Sequence, residues 1–230
     1  MIFHGLQKTS LVDFPQTICA TLFTKGCNMR CGYCHNPDLV LPQKKVPSIS
    51  EEDIFSFLDN KKNVLEGICI TGGEPTLHRD LYNFCVKVKK RGLKIKLDTN
   101  GTNPQIVQKL IDEKLVDYIA MDIKAPKEKY SLVSKLHPSL VEKVFQTVAI
   151  LQSSSILFEF RSTIVRDVHT IEDIRQMIHQ VSPVDTFILQ RSLNANAMDN
   201  RIRTIPSFTD DEMNDFVNNL RVECPSLSWR

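Results

Sequence analysis

Short apolar runs alternate with longer segments of helical periodicity along most of this chain. Six runs rich in β-branched residues have the length of strands: Ile18–Thr24, Gly67–Thr71, Leu93–Thr99, Asp117–Ile123, Ile156–Val165 and Thr186–Gln190. The runs are nearly continuous in apolar residues, as expected for strands that helices cover on a parallel sheet. The pattern therefore predicts a buried parallel sheet.

Segments with apolar residues at spacings of three and four separate these runs. Helices are predicted to begin near Ser50, Pro104, Ser139, Thr170 and Thr209. Thr170 with Asp173 has the spacing of a capping box, and Pro104 suits a first helical turn. About six β/α units in series predict an α/β fold whose sheet is either open or curled into a barrel. In both architectures, functional residues lie at the carboxyl ends of the strands.

The composition is that of an ordinary globular protein. The 230 residues are 42% hydrophobic and 24% charged, and they contain no linker rich enough in Gly, Ser or Pro to divide the chain. A single domain over residues 1–230 is therefore expected. The formal net charge is +2, which gives no support to nucleic-acid binding, because proteins that track phosphates usually have a marked basic excess.

The sequence also predicts a compartment. No apolar run approaches the roughly 18 residues needed to span a bilayer, and the amino terminus lacks the features of a secretory signal. A cytoplasmic protein without membrane contact is expected. In a reducing compartment, clustered cysteines indicate a metal site or catalysis rather than disulfides.

Three cysteines follow the first predicted strand. Cys27, Cys31 and Cys34 have the spacing CxxxCxxC within one short loop. A structural zinc site needs four ligands, and His35 is the candidate fourth. A 4Fe–4S cluster makes better sense of three cysteines, because three thiolates hold three irons and leave the fourth open. The remaining cysteines lie in apolar surroundings and are interpreted as core thiols: Cys19, Cys69, Cys85 and Cys224.

Polar residues follow the next predicted strands. Gly72 and Gly73 allow a close backbone approach to a ligand, and Glu74 supplies an anion suited to an ammonium group. Arg161 lies within an apolar strand, so it must be paired or face a polar cavity. Further polar candidates end the other strands: Asp98, Thr99, Asn100, Asp122, Lys124 and Gln190.

Taken in order, these segments resemble the radical S-adenosylmethionine (radical SAM) superfamily. The resemblance rests on CNMRCGYC, GGEP, DTNG and MDIK, which begin at Cys27, Gly72, Asp98 and Met121. It implies a 4Fe–4S cluster held by Cys27, Cys31 and Cys34, with S-adenosylmethionine bound through its amino and carboxylate groups at the open iron. One electron would then cleave S-adenosylmethionine to a 5′-deoxyadenosyl radical.

The resemblance also implies roles for individual residues. Gly72, Gly73 and Glu74 would bind the amino group of S-adenosylmethionine, and Tyr33 would lie near its adenine. Asn100 would approach the ribose, and Lys124 would lie near the cofactor or the substrate. Arg161 would bind the cofactor carboxylate or form an ordinary ion pair, and Gln190 would meet the adenine edge or cap its strand. A monovalent cation would bind near Asp98, Thr99 and Asp122.

The segment Gly5–Val40 is more specific, because it resembles the activating proteins of anaerobic ribonucleoside-triphosphate reductase. This likeness implies an incomplete TIM-type barrel and an activase that forms a glycyl radical on a partner enzyme. A flavodoxin- or ferredoxin-type protein would donate the electron. Two alternatives stay open: a radical SAM enzyme with a small-molecule substrate, similar to 7-carboxy-7-deazaguanine synthases, and a zinc-stabilised binding module. Asn194–Phe208 is either a loop that closes over the cluster or contacts the partner, or a plain surface connection, and the plain connection is preferred; His169 is interpreted as a surface or loop residue.

Overall fold

The computed structural model describes residues 1–41, 45–184 and 186–230. Within them, eight strands form one sheet in the order of the sequence. The strands are β1 Gly5–Ser10, β2 Cys19–Thr24, β3 Gly67–Gly72, β4 Lys94–Thr99, β5 Tyr118–Asp122, β6 Leu157–Ile164, β7 Phe187–Arg191 and β8 Ser228–Trp229. Strands β2 to β8 run parallel, and β1 pairs with β2 in the antiparallel direction. The six predicted strands correspond to β2–β7, whereas β1 and β8 were not predicted.

The helices lie between the strands. They are α1 Pro37–Val40, α2 Glu51–Asn60, α3 Leu81–Lys89, α4 Pro104–Asp112, α5 Tyr130–Ser134, α6 Pro138–Ser153, α7 Ile171–Gln180, α8 Asn200–Arg203 and α9 Asp210–Leu220. Complete capping boxes begin α7 and α9, with Thr170 and Thr209 as the N-caps. The Ser50 side chain accepts a hydrogen bond from the Asp53 amide at the start of α2. The five predicted helices are confirmed; α3 and the three shortest helices were missed.

Strand order identifies the architecture as a partial barrel. A doubly wound sheet reverses its strand order at a switch point, but here each strand pairs with its neighbour in sequence. Right-handed crossovers without a reversal place the helices on one face, so the sheet curls around the other. No pairing joins β1 to β8 in the described parts of the chain, so the barrel stays open. The prediction of an α/β fold with an incomplete barrel is confirmed.

The two faces of the sheet differ in chemistry. Ile95 and Leu97 of β4 and Ile119 of β5 are fully buried in the main hydrophobic core, which includes the helices. Alternate positions on the same strands point to the other face, the inside of the barrel. These inner positions include Lys96, Asp98, Asp122, Glu159, Arg161 and Thr163. The inside of the barrel is therefore polar and charged, and the outside supplies the apolar core.

The connection between β1 and β2 closes the amino end of the barrel. Phe14 packs in a small separate cluster with Cys19 and Cys69, and Tyr118 borders this cluster. The Asp13 carboxylate accepts a 2.6 Å hydrogen bond from the Thr21 hydroxyl, which holds the connection against β2. The interpretation of four cysteines as core thiols is confirmed, because each is at most 1% exposed: Cys19, Cys69, Cys85 and Cys224.

Among the described residues, none of the helices combines the length and the apolar character that crossing a bilayer requires.

Phe14→Ala is expected to lower the free energy of unfolding by roughly 3 kcal/mol, because it removes the ring that fills the small cluster at the amino end of the barrel. Leu11→Ala in the same connection is the control. Leu11 is 73% exposed, so its truncation should change the stability by less than about 0.5 kcal/mol. Urea titration of both variants measures the difference. Equal stabilities would show that Phe14 does not hold this end of the barrel.

Candidate active site

A cavity opens at the carboxyl ends of the parallel strands. Its wall contains every site residue predicted from the sequence except Arg161: Cys27, Cys31, Tyr33, Cys34, Gly72, Gly73, Glu74, Asp98, Thr99, Asn100, Asp122, Lys124 and Gln190. Residues that the sequence did not single out as site residues also line it, among them Met29, Asn36, Thr163 and Met198. Thr163 could have been found, because it lies two residues beyond Arg161 on the same face of β6.

The loop after β2 carries the three cysteines, which are free thiols. Cys27 and Cys34 are partly exposed, and Cys31 is buried. The loop is stiffened by its own hydrogen bonds: the Met29 amide donates to the Cys27 sulfur, and the Cys34 amide donates to the Cys31 carbonyl. The Arg30 guanidinium donates to the Cys27 carbonyl at 2.6 Å. Local contacts thus hold the three sulfurs along one side of the cavity.

The donor set fits an iron–sulfur cluster better than a single zinc ion. Within residues 1–41, 45–184 and 186–230, no three His, Cys, Asp or Glu side chains are placed to hold one metal ion. A 4Fe–4S cluster does not require such convergence, because each thiolate binds a different iron. The His35 Nε2 atom accepts a 3.0 Å hydrogen bond from the Leu193 amide, so His35 serves a backbone contact instead of completing a zinc site. Burial raises the pKa of Cys27 and raises that of Cys31 to about 11. Both groups therefore need a bound cation to lose their protons and become thiolates near neutral pH.

The glycine pair at the end of β3 is required because the backbone at the start of the cysteine loop packs against it. Gly72 has a φ of +118°, and a Cβ on it would lie 2.4 Å from the Thr24 backbone. A Cβ on Gly73 would lie 2.0 Å from the Gly26 carbonyl oxygen. The Glu74 amide donates to the same Gly26 carbonyl at 2.7 Å. From the sequence alone, the close approach of a ligand explains these glycines. The structure adds a second reason: the backbone that leads into the cysteine loop packs against both glycines.

The Glu74 carboxylate is completely buried at the edge of the cavity. Its Oε1 accepts hydrogen bonds from the Thr76 amide at 3.0 Å, the Thr76 hydroxyl at 2.6 Å and the Thr99 hydroxyl at 2.8 Å. Its Oε2 accepts from the Asn100 amide at 2.6 Å. All four donors are neutral, and burial raises the pKa of Glu74. An ammonium group of a ligand would supply the positive charge that this carboxylate lacks.

Arg161 lies beneath the cavity as a bridge between two carboxylates. Its Nη1 is 3.2 Å from the Asp98 carboxylate, and its Nε is 3.1 Å from the Asp122 carboxylate. Of the two roles considered for Arg161, the structure shows the ion pair. Burial opposes the ionisation of Asp98, but the charges of Arg161 and Lys96 outweigh it and lower the pKa of Asp98 to about 2.

The ion pairs around Asp98 and Asp122 do not support the monovalent cation that was predicted near Asp98, Thr99 and Asp122. Lys96 and Arg161 pair with Asp98, and the Lys124 ammonium is 3.1 Å from the Asp122 carboxylate. The Thr99 hydroxyl is directed to Glu74. The structure therefore shows ion pairs with Lys96, Arg161 and Lys124 at the carboxylates near which the cation was predicted.

His169 holds one side of the cavity in place. It was interpreted as a surface or loop residue; it does lie in the loop between β6 and α7, but it is buried and not at the surface. The side chain is 4% exposed. Its Nδ1 accepts from the Val165 amide at 3.1 Å, which leaves Nε2 protonated to donate to the Lys124 carbonyl at 2.9 Å. The ring also packs edge-on against Tyr33 at 5.8 Å. The loops after β2, β5 and β6 therefore meet at this histidine.

Residues 192–205, which we name the strap, cross the cysteine loop. The Leu193 amide donates to His35, and the Asp199 amide donates to the Gly32 carbonyl at 2.8 Å. Met198 of the strap lines the cavity. The interpretation of this segment as a plain surface connection is therefore wrong. Its contacts are mainly backbone hydrogen bonds, which leave no pattern of side chains in the sequence.

Comparison with known proteins agrees with this site. The model of the radical SAM superfamily matches residues 21–181. A protein of Methanocaldococcus jannaschii named a putative glycyl-radical enzyme activating enzyme is 31% identical over 218 residues, which are 93% of this chain and 89% of that protein. The pyruvate formate-lyase-activating enzyme of Listeria monocytogenes is 29% identical over 155 residues, 60% of each chain.

The fold has a counterpart of known structure. A radical SAM methyltransferase from Sphaerobacter thermophilus superposes with a TM-score of 0.69 at 15% identity, over 94% of this chain and 67% of that one. This likeness concerns the fold alone. The family resemblance seen in the sequence is confirmed by the family model and by the M. jannaschii relative. The chain belongs to the radical SAM superfamily and, within it, to the family of glycyl-radical enzyme activating enzymes.

Proposed function

We propose that this enzyme, one domain over residues 1–230, binds a 4Fe–4S cluster through Cys27, Cys31 and Cys34 and binds S-adenosylmethionine beside it. When bound and reduced, the cluster would supply the electron for the cleavage of S-adenosylmethionine to methionine and a 5′-deoxyadenosyl radical. This radical would remove a hydrogen atom from a glycine of a partner protein. One observation carries the proposal: three free thiols and a buried carboxylate with only neutral donors share one cavity.

Glu74 is the proposed ligand of the amino group of S-adenosylmethionine. Its four hydrogen bonds hold the carboxylate rigidly, and none of them neutralises its charge. A bound ammonium gains a charge-assisted hydrogen bond in a site of low dielectric constant. Gly72 and Gly73 keep this carboxylate next to the cysteine loop, because their contacts with Thr24 and Gly26 join the two loops.

The other predicted residues are proposed to shape the rest of the cofactor site. The side-chain amide nitrogen of Asn100 donates to the Asn28 side chain at 2.9 Å and lies 3.8 Å from the Cys27 sulfur. This position suits a residue near the cofactor. Tyr33 and Gln190 offer a ring and an amide to the adenine. Lys124 places an ammonium in the cavity for the cofactor or the substrate. Arg161 has an indirect role, in that it orients Asp122 and so Lys124.

The partner is proposed to be anaerobic ribonucleoside-triphosphate reductase. This choice rests on Gly5–Val40, whose pattern resembles the activating proteins of that reductase. A second candidate is pyruvate formate-lyase, because the Listeria relative is named as its activating enzyme. The gap between β1 and β8 leaves the barrel open at the side, which can admit a glycine-bearing loop of a protein. A flavodoxin- or ferredoxin-type donor is proposed to supply the electron.

Cys31→Ala is expected to abolish cluster assembly, because the two remaining thiolates cannot hold three irons. The wild-type protein, purified without oxygen, should contain about four irons and four sulfides per chain. Cys85→Ala is the control, since Cys85 lies fully buried in α3, away from the cavity. Iron and sulfide analysis should find the cluster intact in this control. Loss of iron in Cys85→Ala, or retention in Cys31→Ala, would contradict the ligand assignment.

Glu74→Gln is expected to weaken S-adenosylmethionine binding about tenfold or more, because a hydrogen bond to a charged group contributes roughly 1.5–3 kcal/mol. Equilibrium binding to the reconstituted protein measures the effect, with iron content checked in the same samples. Glu52→Gln changes an exposed carboxylate in α2 and should leave the affinity unchanged. An unchanged affinity in Glu74→Gln with a full cluster would exclude Glu74 as the ammonium ligand.

The partner is tested by electron paramagnetic resonance. The reduced protein with S-adenosylmethionine should release 5′-deoxyadenosine, and adding the reductase should give the doublet of a glycyl radical. Pyruvate formate-lyase takes the place of the reductase in a parallel sample. A doublet only with the lyase would transfer the assignment to that enzyme. Cleavage of S-adenosylmethionine without a doublet from either protein would favour the alternative of a small-molecule substrate.

A further inference from the structure

Basic side chains gather on the outer side of the cysteine loop. Four of them are exposed, and with two exposed leucines they make up what we name the basic face: Arg30, Lys135, Arg201, Arg203, Leu132 and Leu193. The Arg30 amide donates to the Ser134 carbonyl at 2.8 Å, which places Lys135 beside the loop. The Asp199 amide donates to Gly32, which brings Arg201 to the same side.

The charges of this face are not balanced. Asp199 pairs with Arg201, and Asp38 shares a surface cavity with Arg203. Arg201, with a smaller contribution from Lys135, lowers the pKa of Asp199 to about 2, so both cations act on one carboxylate. Four cations therefore face two carboxylates. This excess equals the net charge of +2 of the whole 230-residue chain, so the rest of the chain is balanced.

Exposed leucines accompany these cations. Leu132 is 69% exposed and Leu193 is 65% exposed. Leu132 lies in α5, two residues before Ser134, and Leu193 lies at the point where the strap contacts His35. Exposed apolar side chains on a face with an excess of positive charge suit a partner protein whose contact surface is acidic.

The basic face contacts the loop that carries the three cysteines. The Arg30 guanidinium contacts the Cys27 carbonyl, and the strap contacts Gly32 and His35. A protein seated here would touch the cysteine loop itself, because Arg30 and Gly32 lie between Cys27 and Cys34 in the sequence. Glu74, the proposed cofactor ligand, lies instead at the end of β3, buried beyond that loop. The rate of electron transfer falls steeply with distance, so a protein on the basic face would be well placed to deliver an electron to a cluster bound by the cysteine loop.

We infer that the basic face docks an acidic electron-transfer protein, which reduces the cluster through the cysteine loop. The inference rests on the proposed function, because it requires the cluster. The donor loses one electron, the cluster gains one, and no bond forms or breaks in this step. Opposite charges steer such transient partners together, and the interface they form is small. Salt screens this attraction over about 10 Å at 0.1 M, so docking should weaken as the ionic strength rises.

The test uses the double variant Lys135→Glu/Arg201→Gln. Arg201 is neutralised and not reversed, because Asp199 lies against it. The control is Lys62→Glu/Lys94→Gln, which changes the net charge equally at two exposed sites at the amino end of the barrel. An acidic flavodoxin serves as the probe, and photoreduced 5-deazariboflavin serves as an uncharged small reductant. Stopped-flow absorbance measures cluster reduction, and titration calorimetry with oxidised flavodoxin measures docking directly.

At low ionic strength, the double variant should be reduced by flavodoxin at least about tenfold more slowly than the wild type, and it should bind flavodoxin correspondingly more weakly. The control should match the wild type, and deazaflavin should reduce all three proteins equally. Unchanged reduction and binding by flavodoxin would overturn the inference. Unchanged reduction by flavodoxin together with slower glycyl-radical formation in the double variant after reduction with deazaflavin would also overturn it, because the face would then bind the glycyl-radical partner.

Failure of the proposed function gives a different result. A wild-type protein without iron and sulfide after anaerobic reconstitution would contradict the function, and the inference with it, before any reduction rate is measured. A wild-type protein that holds the cluster and cleaves S-adenosylmethionine with deazaflavin, while the double variant equals it with flavodoxin, would overturn the docking inference alone.

Discussion

The candidate site depends on one buried arginine. Arg161 of β6 bonds to Asp98 of β4 and Asp122 of β5, so a single side chain ties three neighbouring strands together inside the barrel. A guanidinium that is 8% exposed would be strongly destabilising alone, and the two carboxylates would be destabilising without it. Lys96 and Lys124 pair with the same two carboxylates, so these five groups form one network of ion pairs. Their geometry determines where Asp122 presents its second oxygen to Lys124, and so where a positive charge enters the cavity.

A second constraint links the two halves of the proposed cofactor site. The cysteine loop and the end of β3 approach so closely that only glycine fits at positions 72 and 73. The same contact orients Glu74, whose carboxylate then reaches Thr99 and Asn100 at the end of β4. The proposed cluster ligands, the proposed ammonium ligand and the residues after β4 are thus joined through contacts that involve the backbone. A substitution in one of these loops should alter the positions of residues in the others, because the loops contact one another directly.

Much of this arrangement could be predicted because a parallel sheet gathers its strand ends at one edge. Local patterns were sufficient for β2–β7 and for the helices that begin with Thr170 and Thr209. They were insufficient for elements whose structure depends on contacts between residues far apart in the sequence. Strand β8 has only two residues, β1 pairs with β2 in an irregular register, and the strap is held by backbone bonds to His35 and Gly32. The burial of His169 likewise depends on Tyr33 and Lys124, which are far away in the sequence.

The strap gives the cysteine loop two different sides. Met198 lines the cavity, and exposed Arg201, three residues later, belongs to the basic face. One short segment therefore contacts the space where the radical would form and the surface where an electron would arrive. A radical enzyme benefits from such a separation, because a donor on the basic face would not have to enter the cavity. The strap itself runs from β7 to the loop after β2, so it crosses the carboxyl end of the gap between β1 and β8, where a substrate protein would meet it.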